Sequence, residues 1–199
     1  MSNMGERGRK KGASGEKSRN LLLHIAAEEF AQNGYHETKI STIVHRANVT
    51  QPSFYLYFQS KEAIFQELVD IFRHKLITYI QQSRLQTGLD KGILENEIKQ
   101  GLTVMFSFFK EQSNLTRIGF YMAKESSEIK GQIASLIEEN LRKEQQDGYF
   151  RADLDMGTVA ESLVGIIERL TETKLLNNRV QPEDLANEIV SLLLYGMIS

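Results

Sequence analysis

At 199 residues, with 41% apolar and 25% charged side chains, the chain has room for one domain or a small head on a larger body, and its composition excludes global disorder. It has no cysteine and no run near the roughly 18 apolar residues of a membrane span, which excludes disulfides, thiolate metal sites and a spanning helix and makes a reducing cytoplasm the default location. The net charge of −2 conceals an asymmetry: residues 1–61 carry nine Lys/Arg against five Asp/Glu, a net of +4, and the rest fifteen against twenty-one, a net of −6.

In chain order, residues 1–16 are polar and glycine-rich, without the apolar stretch of a secretory signal, and read as a flexible basic arm. From Ser18, SRNLLLHIAAEEFAQNG places Leu22, Ile25, Ala26, Phe30 and Ala31 on one helical face and breaks at Gly34. Thr38 caps a short helix, KISTIVHRAN, with Ile40, Ile43, Val44 and Ala47 inward, and Asn48 ends it in a conformation that asparagine tolerates. Thr50 caps the next helix, with Pro52 in the first turn, where a missing N–H is harmless. Ser60 caps a long helix reaching about Ser83. Beyond the loop RLQTGLDKG come amphipathic segments near 92–111, 115–125, 127–147, 155–176 and 182–197, the last entered through Pro182. No segment alternates like a strand, so the fold class is all-α with about nine helices, three short ones leading.

The tight RANVTQP junction between two short helices meets the needs of a helix-turn-helix over about 40–59, whose second helix enters the major groove of double-stranded DNA. Gln51 can both donate and accept on a base edge, and the hydroxyls of Thr50 and Ser53 reach phosphate or base. Phe54 and Phe58, four apart, share an inner face, which leaves Tyr55 and Tyr57 for phosphates. Lys61, at a helix start, makes a phosphate clamp, and Thr38, Lys39 and Ser41 supply the same chemistry one helix earlier.

GYHETKISTIVHRANVTQPSFYLYFQSKEAIFQEL, Gly34 to Leu68, resembles the DNA-binding head of the tetracycline-repressor (TetR) family of bacterial transcription regulators, collinearly over roughly 18–72. Two positions depart from the family pattern: Asn48 replaces the usual turn glycine, and Pro52 stands where Gly or Ala is common. The resemblance implies that Thr38, Lys39, Ser41, Thr50, Gln51, Pro52, Ser53, Tyr55, Tyr57 and Lys61 face DNA. It divides the chain into the arm, a head over 17–77 and a helical ligand-binding and dimerisation body over 78–199. It further implies a cytoplasmic homodimeric repressor on a near-palindromic operator, answering to a small-molecule effector and needing no other cofactor.

In the body, Val159, Leu163, Ile167, Leu170, Ile189 and Leu193 form stripes that suit either a dimer face or a core. Met105, Phe109, Phe120 and Tyr121, with Glu125 and Glu168 as polar neighbours, are candidates for the walls of an effector pocket; a Met and Phe stripe is equally the signature of plain core. The four histidines form no ligand-spaced pair, so no metal is expected. With no phosphate loop, no Gly-x-Ser-x-Gly setting and no cysteine, an enzyme is not expected. A helical scaffold for protein partners remains the alternative; it explains the body but not a basic head with hydroxyl-rich helix starts.

Overall fold

The computed structural model describes the backbone of residues 7–197 and the side chains of 15–197, and all regular structure among them is helical. Residues 1–71 and 72–199 form two compact units, with the boundary falling inside one continuous helix, six residues before the expected one. A helix with no break in its pattern gives the sequence nothing to mark such a boundary.

The first unit opens with α1 (Arg7–Glu37), interrupted at Gly34, which adopts φ 83° and ψ 162°. The arm expected over 1–16 is therefore helical from Arg7 on, while residues 1–6 lie outside the described residues. Lys and Arg are good helix formers, and an isolated glycine costs only about 1 kcal/mol, too little to stop a helix already propagating. Next come α2 (Ile40–Arg46), α3 (Gln51–Tyr55) and the first half of α4 (Lys61–Gln82). Leu22, Ala26, Phe30, Ile43, Phe54 and Ile64 are fully buried and form the core of this unit. Such a side chain gains roughly 1.5–3 kcal/mol from burial, so a few of them hold three very short elements. Two ion-pair clasps fix the angles. Arg19 donates to both carboxylate oxygens of Glu67, and Arg46 forks onto Glu28 and Glu29.

The second unit holds the rest of α4, α5 (Lys91–Glu111), α6 (Ser113–Arg117), α7 (Ser126–Gln146), α8 (Met156–Leu170) and α9 (Pro182–Tyr195). Helix α5 packs on α9, and α7 on α8. Helices α6 and α8 each run on into a wide π-type turn, Ile118–Met122 and Thr171–Leu175. In the first of these, a Cβ on Gly119 would lie 2.0 Å from Cδ1 of Phe72. Glycine is therefore the only residue that lets the buried Phe72 ring lie against that backbone. The side chains of Asp90 and Asp155 accept the capping N–H of Ile93 and Thr158, starting α5 and α8 by local chemistry.

Candidate nucleic-acid interface and apolar cavity

In the first unit, the turn between α2 and α3 places Asn48 at φ 52°, the left-handed conformation its side chain tolerates. Thr50 then caps α3: its hydroxyl accepts the Ser53 N–H at 3.3 Å and pairs with the Ser53 hydroxyl at 2.8 Å. Gln51 and Pro52 stand exposed on the first turn, and Lys39 and Ser41 are exposed at the start of α2. Phe54 and Phe58 turn inward, their centroids 5.6 Å apart, while Tyr55 is exposed and Tyr57 half-buried. A groove reader needs a thin, polar, protruding turn carried on an apolar wedge, and this turn has that form.

Two of the expected contact residues do other work. Thr38 is 2% exposed, and its hydroxyl donates to the carbonyls of Gly34 and Glu29. The residue at the α2 cap is Lys39, which makes no side-chain cap bond. The Lys61 ammonium donates to the carbonyls of Tyr35 (2.8 Å), Thr38 (2.9 Å) and His36 (3.3 Å), and lies 4.5 Å from the Tyr35 ring centroid. Carbonyls at the end of a helix lack intrahelical partners, and a cation satisfies them well. Lys61 thus holds the α1–α2 corner in place.

One residue escaped the sequence reading. Leu56, just past α3, is 80% exposed, a large apolar side chain beside the polar turn. Its spacing of four from Pro52, which puts the two on one face, was the available signal.

In the second unit, Leu76, Met105, Phe109, Phe120, Ile133, Ile137, Val164 and Ile167 line a small apolar cavity of about 10 Å³, roughly one water-sized sphere. Three of the six expected pocket residues, Met105, Phe109 and Phe120, are among them. The polar three are not. Tyr121 donates its hydroxyl to the Glu168 carbonyl at 2.9 Å, and burial, helped by the charge of Glu168, pushes its pKa well up, so it stays a donor. The Glu168 carboxylate is held by Lys130 at 2.6 Å, and Glu125 sits just before α7, where its carbonyl accepts the Ile129 N–H. A wholly apolar wall solvates no carboxylate, so these groups find partners outside it.

The stripe residues also divide. Ile167 and Ile189, 6% and 2% exposed, belong to the unit's own core, whereas Val159, Leu163 and Leu170 are half-buried and Leu193 is 43% exposed. Leu192, Leu194 and Tyr195 continue that exposed apolar surface. Among the described residues no cluster of His, Cys, Asp and Glu could hold a metal ion, and no helix is long and apolar enough to cross a membrane.

Residues 22–68, which contain this turn and the wedge beneath it, match the family model described as "Bacterial regulatory proteins, tetR family". Over 186 residues the chain is 45% identical to the HTH-type transcriptional regulator YdgC of Bacillus subtilis, covering 94% of this chain and 95% of that one. The chain belongs to the tetR family. The chain is accordingly a DNA-binding transcriptional regulator, and the residues matched to the family model include the turn before α3. More distantly, the chain is 24% identical to the fatty acid metabolism regulator protein of Bacillus subtilis, covering 88% of this chain and 93% of that one. A solved structure of the regulator FadR from Bacillus subtilis in complex with stearoyl-CoA shares the fold, with a TM-score of 0.69 at 22% identity over 90% of this chain and 99% of that one.

Proposed function

We propose that this tetR-family regulator is a cytoplasmic repressor, which binds a near-palindromic operator as a homodimer and is released by a small molecule with a long apolar part. The turn from Thr50 to Ser53 carries the reading: a capped, exposed, polar first turn with Gln51 at its tip. Lys39, Ser41, Ser53, Tyr55 and Tyr57 surround it with groups suited to phosphate and sugar. Thr38 and Lys61 act indirectly, by holding the α1–α2 corner.

One such head reads only a few base pairs, so two are needed for a specific site. Support for a dimer comes from the outer face of α8, with Val159, Leu163 and Leu170, and from the exposed Leu192 and Leu193 of α9, apolar surface that the chain's own core leaves over. For the effector, support comes from the apolar walls around Met105, Phe109 and Phe120 and from the relative that binds stearoyl-CoA. Release requires the effector to prefer a form of the dimer that does not fit the operator; about 1.4 kcal/mol of preference shifts DNA affinity tenfold.

Selecting bound sequences from a random duplex pool with the purified chain tests this reading. Enrichment of a near-palindrome, lost when a long-chain acyl-CoA is added, is the expected result. A single unpaired half-site would remove the dimer from the reading. Failure to enrich any sequence would remove operator binding itself.

A further inference from the structure

Among the described residues, two buried side-chain polar atoms have no hydrogen-bond partner, Nε of Arg73 and Oγ1 of Thr171. A buried donor left unpaired has lost its hydration with nothing in exchange, so each such atom needs a physical reason. Both sit one helical turn from a wall of the apolar cavity. Arg73 precedes the wall residue Leu76 by three positions on α4, and Thr171 follows the wall residue Ile167 by four. Spacings of three and four bring side chains onto one helical face.

Contacts with α7 put the two atoms at the same end of the cavity. Arg73 Nη1 lies 3.7 Å from Oε1 of Glu128, in the first turn of α7. Two residues further on, Lys130 Nζ lies 2.6 Å from Oε1 of Glu168, which precedes Thr171 by three. The wall residue Ile137 lies nine residues along α7 from Glu128, about 13 Å at 1.5 Å per residue. The cavity wall itself is wholly apolar, and the two unsatisfied donors, one of them on the partly exposed Arg73 side chain, lie about one helical turn beyond the wall at this end. Glu128 neutralises Arg73 only weakly, since 3.7 Å is too long for a hydrogen bond and the Glu128 side chain is 70% exposed.

We infer that this end of the cavity receives the oxygen-bearing head of a chain-like effector, a carboxylate or the carbonyl of a carboxyl derivative, with the chain directed toward Ile137. The inference rests on the proposed apolar effector and adds where its polar end sits and what binds it. Arg73 Nε–H and the Thr171 hydroxyl donate to the head oxygens. The chain enters as the flexible Met105 and the neighbouring rings yield, because a space of about 10 Å³ admits no chain as it stands.

The test is calorimetric titration of the intact chain with dodecanoate, dodecanoyl-CoA and 1-bromododecane, which has the same chain and no oxygen. At least one of the two oxygen-bearing ligands should bind about tenfold or more tightly than the bromide, the range of a hydrogen bond to a charged group. Which one does so separates a carboxylate from an acyl carbonyl. Arg73→Met and Thr171→Val should each pull that ratio toward one. Thr171→Val keeps the shape of the side chain, so the test stands even if Arg73→Met fails to fold. Equal binding of all three ligands, or a ratio that neither substitution moves, overturns the inference and leaves the apolar effector standing. Binding of none of the three overturns both.

Discussion

The two units of this regulator solve opposite problems. In the first, a handful of buried rings and two ion-pair clasps hold very short helices so that small polar groups stand in solvent. In the second, long helices close around an apolar interior, and the Glu168 carboxylate near it is paired with Lys130. Function in the first unit depends on which atoms protrude; in the second it depends on what the interior tolerates. Substitutions should therefore separate cleanly into those that change recognition and those that change packing.

The largest effect belongs to packing. Gly119→Ala puts a methyl carbon 2.0 Å from the Phe72 ring, whose surroundings include Phe120, with ring centroids 4.9 Å apart, and Phe109. Overpacking of a full interior costs about 1–3 kcal/mol, and a clash this close belongs at the upper end, about 3 kcal/mol by urea denaturation. Unchanged stability would mean that the Phe72 ring has somewhere else to go, and the second unit would be looser than its walls imply.

Lys61 tests the division itself. Its ammonium serves three carbonyls, so Lys61→Met should lower stability by about 2 kcal/mol, the range for bonds from a charged donor. The salt dependence of DNA affinity should stay the same. If stability holds and the salt slope instead falls by about one, Lys61 contacts phosphate and belongs with the recognition residues.

A smaller effect, confined to recognition, is expected at the tip of α3. Gln51→Ala removes an exposed side chain, so melting should move little. Operator affinity should drop by about 1–2 kcal/mol, and discrimination should relax at one base pair of each half-site. A uniform loss across all sequences would instead make Gln51 a backbone contact.

How much of this was legible in the sequence follows the same division. The caps at Thr50 and Ser60, the left-handed Asn48 and the entry through Pro182 are local chemistry, and the helices begin and end where those residues say. The carbonyls that Thr38 and Lys61 bind were not legible, because they are brought together by the α1–α2 corner and no spacing reveals where they will lie. Ile167 and Ile189 show another limit: an amphipathic stripe says that a face is covered, not whether the cover is the chain's own core or a second copy. The wide turns at 118–122 and 171–175 have no composition of their own, so the close approach at Gly119 could not be foreseen.

The smallest expected effect is a matter of sign, at a buried carboxylate of the second unit. Glu144 is 5% exposed, and its carboxylate accepts the Leu85 N–H at 3.1 Å, holding the loop after α4. Burial raises its pKa above the ordinary 4.5, and although the Leu85 N–H and Arg84 pull it down, the net direction is upward. The folded chain therefore holds this proton more tightly than the unfolded chain does. The resulting stability is fully present below the unfolded value and is lost as pH rises through the folded one. Glu144→Gln carries no titrating proton and escapes that loss. The melting temperature of Glu144→Gln relative to wild type should accordingly move in the variant's favour from about pH 4 to about pH 7. A relative melting temperature that stays flat or moves the other way would show that the Leu85 N–H outweighs burial and that Glu144 is held as a stabilised anion. The second unit would then contain one charge that its interior accepts.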